Sequence, residues 1–228
     1  MAPSSTVTSE PRRVPVQRRS RERVEGILLA AEQIVVREDF DALSTRAVAE
    51  RAKVPVATLY QYFADRDAII AALIDRHVSA MDVRLTEAVA ALGTYSVRSL
   101  AQVVVDAYVA GYRAHPSYVV LWFQGRVSAD IVARVRERTS RLAAQFHGFA
   151  LAAGLLKPDT DVLVLEVAAD AIDGVLDMAY RNDFEGDPRV LDAGIEMIVS
   201  YLERHATPPG IAGVSSSDLA ARWEPPGE

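Results

Sequence analysis

Residues Leu43–Phe63 read LSTRAVAERAKVPVATLYQYF. Ser44 is a good N-cap residue type, placed immediately before a short helical period at about Thr45–Arg51. A second short period follows at about Val56–Phe63, and Ala52-Lys53-Val54-Pro55 connects the two. Pro55 suits a helix start, because the N–H it lacks would have no intrahelical partner there. Val48, Ala49, Ala52, Val54 and Leu59 form a small apolar seam along which such a pair can cross closely. Two short helices joined in this way have the dimensions of a helix-turn-helix. Period alone does not make the pair a DNA reader, since many helical hairpins share it.

Outward from this stretch the helical period continues in both directions. Upstream, Val24, Ile27, Leu28, Ala31, Ile34 and Val35 share one face of a helix over about Ser20–Glu38. Downstream, Asp65 can cap a longer helix whose stripe runs from Ile69 to Met81 and which ends before Gly93. Further helices are predicted at about Val97–Ala114, Tyr118–Gln124, Ala129–Ala153, Asp159–Arg181 and Pro188–His205, with breakers at Pro116, Gly154 and Asn182–Asp187. No segment sustains strand alternation and no repeat is visible. The expectation is an all-α chain of about nine helices. Its parts are a flexible basic arm (residues 1–19), a three-helix module (20–64), a helical body (65–206) and a flexible tail (207–228). The tail is rich in Pro and Ser, with Leu219 and Trp223 as isolated apolar residues that can dock.

Composition narrows the class. The 228 residues contain no cysteine, which excludes disulfides, thiolate nucleophiles and Cys-based zinc sites. No run is long and apolar enough to cross a bilayer, and no apolar segment follows the N-terminal arginines as a secretory signal requires. A cytoplasmic protein with no membrane partner is expected. The net charge of −6 conceals an asymmetry. Residues 1–23 carry Arg12, Arg13, Arg18, Arg19, Arg21 and Arg23 against Glu10 and Glu22, whereas the excess of acid lies beyond His77. A cationic end on an acidic body suits a protein that offers that end to a polyanion. Enzyme signatures are missing: there is no Gly-rich phosphate loop and no nucleophile elbow. His77, His115, His147 and His205 lack paired metal-ligand spacing, so neither a metal nor a cofactor is expected.

Leu43–Phe63, followed by Ala-Asp-Arg-Asp-Ala-Ile-Ile, strongly resembles the TetR family of transcriptional repressors. The family pattern is a Ser/Thr-capped helix, then I/V-A-x-x-A-G-V, then G-T-L-Y-x-Y/H-F and a charged cap. Lys53 stands where the family usually has Gly, so a non-glycine residue is expected in a left-handed conformation. Pro55 stands where Ser often caps, and Ala57 replaces Gly. The resemblance implies that the second helix of the pair enters the major groove. Pro55, Val56 and Ala57 would then touch thymine methyls, with polar reading falling to Arg46 and secondarily to Tyr60 and Gln61. Thr45, Thr58, Tyr62 and Arg66 would bind phosphates, and Leu59 and Phe63 would be core.

The resemblance also implies a homodimer on a palindromic operator in double-stranded DNA. The last two body helices would form its interface, through Val167, Ala171, Gly174 and Met178 on one and Ile195, Ile198 and Leu202 on the other. An ordinary intrachain core has the same period. The stripe Glu166, Asp170, Asp173 and Asp177 reads as a solvated face. Between module and interface the family builds an apolar cavity for a small-molecule effector. Tyr108, Tyr112, Trp122, Phe123 and Phe146 fall in the matching stretch, with Trp122, Gln124 and His147 able to orient a ligand, while His147 taken alone reads as a satisfied structural histidine. A repressor relieved by an apolar or aromatic effector is therefore expected. An activator, a ligand-independent regulator and a helical interaction scaffold stay open as alternatives.

Overall fold

The computed structural model describes residues 14–38, 40–125 and 127–222. Arg12 and Arg13 of the basic arm, Trp223 and the side chain of Gln124 lie outside the described residues. The chain divides into two compact units, the first ending at Ile69 and the second beginning at Ile70.

The first unit holds α1 (Val14–Arg37), α2 (Thr45–Arg51) and α3 (Val56–Leu59). Its core is made by Ile27, Leu28, Ala31, Ile34 and Val35 of α1 with Leu43, Val48, Ala49, Leu59 and Phe63, all buried. Helix α1 starts six residues before the expected Ser20. Pro15 is compatible with a first turn, and an Arg18–Glu22 pair at 3.3 Å supports the next one. Helix α3 is shorter than expected. After Leu59 the bonding tightens, with Gln61 N–H donating to Thr58 O at 3.2 Å and Tyr62 N–H to Leu59 O at 2.9 Å.

In the second unit the body helices are α4 (Arg66–Ala90, whose first turn contains the unit boundary), α5 (Val97–Ala114), α6 (Pro116–Val119), α7 (Ala129–Ala152), α8 (Leu163–Tyr180) and α9 (Pro188–Glu203). A turn of π-helix at Val120–Gln124 continues α6. Helix α8 starts at Leu163 rather than Asp159 because Asp161 turns back and accepts the Leu163 N–H at 2.8 Å. Helices α8 and α9 pack closely at Gly194, where any Cβ would stand 2.3 Å from the Val175 side chain.

The segment expected to be a loose tail is instead folded as far as residue 222. Helix α10 (Pro208–Ala212) and helix α11 (Ser216–Arg222) bring the described helices to eleven, two more than the sequence suggests. Between them β2 (Val214–Ser215) pairs antiparallel with β1 (Thr94–Tyr95). Thr207 caps α10 through the Gly210 N–H and donates its hydroxyl to Gly154 O at 2.6 Å. Gly210 lies so close to the Leu155 carbonyl oxygen that a Cβ would come within 1.9 Å of it. A proline-rich sequence is thus held by the Thr207 cap, by hydrogen bonds from Thr207 to Gly154 and Leu155, and by the β1–β2 pair.

Candidate nucleic-acid interface and ligand cavity

The α2–α3 pair is fixed by local chemistry. Ser44 Oγ accepts the Ala47 N–H at 3.1 Å, capping α2 as its position predicts. At the other end Lys53 adopts φ +55°, Lys53 N–H bonds to Glu50 O and Val54 N–H bonds to Ala49 O. This is a Schellman closure with lysine in the place glycine normally takes. Arg51 is held by an ion pair to Glu38.

Packing then sorts the side chains of the pair. Leu59 and Phe63 are buried, while Arg46, Pro55, Val56, Ala57, Tyr60 and Gln61 are exposed. Thr45, Thr58 and Tyr62 are half-buried at the margin. The start of α2 meets the end of α3 through a hydroxyl contact of 3.3 Å between Thr45 and Tyr60. The residues expected to read bases therefore share one solvent-facing surface. Arg66 is engaged differently: its guanidinium lies 4.3 Å from the centre of the Phe40 ring and donates to Phe40 O at 2.5 Å. That contact ties the α1–α2 connection to the start of α4. A groove beside the α2–α3 connection is lined by Arg19, Glu22, Arg23, Lys53 and Val54, which brings three cations together.

Two neighbouring chambers occupy the second unit. The apolar one, of about 100 Å³, is lined by Leu85, Leu100, Val104, Leu142, Phe146 and Ile172, among others. The other is smaller and more polar; His77, Arg84, Tyr112, His115, Trp122 and Arg138 stand on its wall. Tyr108, Thr139 and Asp173 line both, so they form the waist between them. The π-helical turn shapes this region: Val119, Val120 and Leu121 are all buried, and its wider register leaves Trp122 and Phe123 beside the polar chamber. Tyr112 stacks on Tyr118 with centroids 5.5 Å apart, and Tyr118 stacks on Trp122 at 5.9 Å. An open groove of about 940 Å³ between α4, α7 and α11 shares Leu85, Leu142 and Phe146 with the apolar chamber and has Leu219 at its wall.

Of the residues expected at the ligand, Tyr108, Tyr112, Trp122 and Phe123 come together at the polar chamber and Phe146 at the apolar one. His147 lines neither. Its Nε2–H donates to Thr160 O at 2.8 Å, fixing α7 to the loop before α8. Asp173 departs from its expected solvated face. It stands at the edge of the acidic stripe nearest the core, half-buried, and that burial pushes its carboxyl up to about 6, helped by Asp170 and opposed by Arg138 and Arg136. The phenols of Tyr108, Tyr112 and Tyr118 are likewise raised by burial. Arg138, between its neighbours, forms an ion pair with Asp82, and burial lowers its pKa.

The faces of α8 and α9 also divide. Leu163, Val167 and Met178 are large exposed apolar residues of α8, Gly174 is exposed beside them, and Ala171 is half-buried. Ile195, Ile198 and Leu202, expected at the interface, are instead buried within the subunit, because this face of α9 packs against α5 and α8. Met197 is the large apolar side chain that α9 leaves exposed.

A short helix pair with its polar and cationic groups turned outward, followed by a helical body with internal cavities, is the build of a helix-turn-helix transcriptional regulator. Residues 27–73 match the family model described as bacterial regulatory proteins, tetR family, and residues 95–206 match a tetracyclin repressor-like C-terminal domain. A TetR-family transcriptional regulator from Streptomyces coelicolor of known crystal structure is 30% identical, with a TM-score of 0.63, covering 80% of this chain and 99% of that one. The chain belongs to the TetR family. The HTH-type transcriptional repressor KstR of Mycolicibacterium smegmatis is 38% identical over 74 residues, a stretch that spans 36% of that repressor's length and 32% of this chain. The fatty acid degradation regulator FadR from Bacillus halodurans shares the fold, with a TM-score of 0.59 at 18% identity over 80% of this chain and 97% of that one. Among the described residues no helix is long and apolar enough to cross a membrane.

Proposed function

We propose that this TetR-family regulator is a repressor. It binds a palindromic operator as a homodimer in the cytoplasm and leaves it when a mostly apolar small molecule enters the body. The observation that carries the reading is the exposed surface of Arg46, Pro55, Val56, Ala57, Tyr60 and Gln61 over a buried Leu59 and Phe63. On this reading Pro55, Val56 and Ala57 offer only apolar contact to thymine methyls, so directed hydrogen bonds to base edges come from Arg46, with Tyr60 and Gln61 secondary. Thr45, Thr58 and Tyr62 hold phosphates and set register. Arg66 adds charge at that boundary while Phe40 fixes its guanidinium.

The second unit takes the dimer and effector roles. Leu163, Val167, Gly174, Met178 and Met197 form the apolar outer face on which a second copy packs, and Gly174 allows close approach because a Cβ there would meet no other side chain within 4 Å among the described residues. An apolar ligand reaches the inner chamber through the groove that shares Leu85, Leu142 and Phe146 with it. Binding shifts the population between operator-competent and incompetent states, by no more than the ligand's differential affinity for the two. Similarity to a repressor over 74 residues supports the sign of regulation.

The test is selection of bound duplexes from a random DNA pool at near-physiological salt. Enrichment of one inverted repeat is expected, with Arg46→Ala relaxing base preference at a symmetric pair of positions. A folded, dimeric protein that enriches no sequence refutes the operator reading.

A further inference from the structure

Where the two chambers meet, the polar atoms of the waist have unused hydrogen-bonding capacity. Asp173 makes no hydrogen bond or ion pair to another described residue, and neither do the hydroxyls of Tyr108, Tyr112 and Tyr118. Tyr112 and Tyr118 are only 4% and 7% exposed. These residues line the chambers, so their polar atoms are placed to bond whatever enters, water or ligand. The carboxylate contributes acceptors only, and the phenols both donate and accept. Tyr112, Tyr118 and Trp122 also line the polar chamber, stacked on one another. Arg138 is ion-paired with Asp82 and also attracts Asp173, without a hydrogen bond to it. Arg84, His77 and His115 complete the charged or titratable groups on the polar wall.

We propose that the effector is an amphiphilic amine whose ammonium group docks on Asp173 at the waist and whose apolar body lies in the chamber of Leu85, Leu100, Leu142, Phe146 and Ile172. This rests on the ligand-release reading above and adds the chemistry of the head group. Within the apolar chamber no side chain other than those of the waist carries a polar group, so the waist is where a head group is read. A chamber of about 100 Å³ takes a short alkyl chain; for comparison, an engineered cavity of about 150 Å³ accommodates benzene. An ammonium docked on Asp173 gives that carboxylate a charge-assisted hydrogen bond, the strong kind, which none of the other described residues supplies. A carboxylate head in the same place meets a like charge.

Hexylamine, hexanol and hexanoate share one body and differ only in the head, which makes them the probes. Their affinities are measured on the full chain by calorimetry, and their effect on DNA by anisotropy with the operator selected above. Hexylamine is expected to bind at least about tenfold more tightly than hexanoate and to release DNA at the lowest concentration. Asp173→Asn is expected to remove that advantage while leaving hexanol within about twofold, a pattern that loss of folding does not produce. If hexanoate binds as tightly as hexylamine and releases DNA, the head-group assignment is overturned, Arg84 becomes the reader, and the ligand-release reading stands. An Asp173→Asn protein that keeps the full preference for hexylamine overturns the assignment in the same way. If none of the three binds or releases DNA, the head-group assignment and the apolar-effector reading fall together, while operator selection still decides DNA binding.

Discussion

Lys53 is the one non-glycine residue with positive φ among the described residues, and replacing it tests the account of the α2–α3 connection directly. A left-handed conformation costs an L-residue with a Cβ roughly 1–2 kcal/mol. Glycine removes that cost but brings extra freedom to the unfolded chain, worth about 0.4–1 kcal/mol in the opposite direction. The two hydrogen bonds that close α2 are backbone bonds and survive the change. Lys53→Gly should therefore stabilise the protein by about 0.5–1 kcal/mol, which for a chain of this length raises the melting temperature by a few degrees, roughly 1–4 °C. Lys53 is exposed beside Arg19 and Arg23, so relief of charge repulsion could imitate the effect. Lys53→Ala separates the two, because it deletes the charge and keeps the Cβ. Thermal denaturation of the three proteins, with circular dichroism as the probe, should rank Gly above both Ala and wild type. A melting temperature for Lys53→Gly at or below that of Lys53→Ala refutes the strain argument, whatever happens to DNA affinity.

Asp173 makes stability depend on pH. Its carboxyl titrates at about 6 in the fold against an ordinary value of 3.8. The native state therefore prefers the protonated form, and stability is fully present below the unfolded value and lost as pH rises through the folded one. By linkage the loss between pH 4 and pH 7 is at most about 3 kcal/mol, and solvent at a half-buried group reduces it. Asp173→Asn should flatten that fall in urea titrations at the two pH values; an unchanged slope would show that the carboxyl is not buried as described. Gly210→Ala should drive α10 off the Leu155 carbonyl at a cost of about 1–3 kcal/mol. Hydrogen exchange should then speed up over residues 208–222, and unchanged protection there would contradict the docking. Met178→Glu should place a charge on the outer face of α8 and convert a dimer to monomers in sedimentation; a dimer of undiminished affinity would exclude that face.

How much could be read in advance follows the range of the interactions. The helix pair was legible because Ser44, Lys53, Pro55 and the Val48–Leu59 seam act on neighbours within a few residues. The left-handed Lys53 followed from the same local reasoning. Helix α10 and the short β1–β2 pair were not legible. Thr207, Gly210 and Val214 are tied to residues 94–95 and 154–155, and nothing nearby marks them as anything but tail. Helix α9 shows the limit of periodicity itself. Ile195, Ile198 and Leu202 have the spacing of an apolar face, but spacing is silent about whether α5 and α8 of the same subunit or a second copy covers it.

The waist of the body explains why the candidate site was read in part. Aromatic residues crowd the stretch from Tyr108 to Phe123, where the family resemblance implies a cavity, although such residues by themselves fit an ordinary core equally. Asp173 belongs by spacing to an acidic stripe of which Asp170 and Asp177 are exposed, as a solvated face should be. Asp173 differs because it lines both chambers together with Tyr108 of α5 and Thr139 of α7. A polar group that discriminates between ligands in an apolar cavity must be a member of an otherwise ordinary pattern that packing turns inward. His147 is the converse case: it is suited by chemistry to hold a ligand, yet the Thr160 carbonyl occupies it. Chemical capacity is visible in a sequence, whereas the partner that uses it is decided by the helices that arrive from elsewhere.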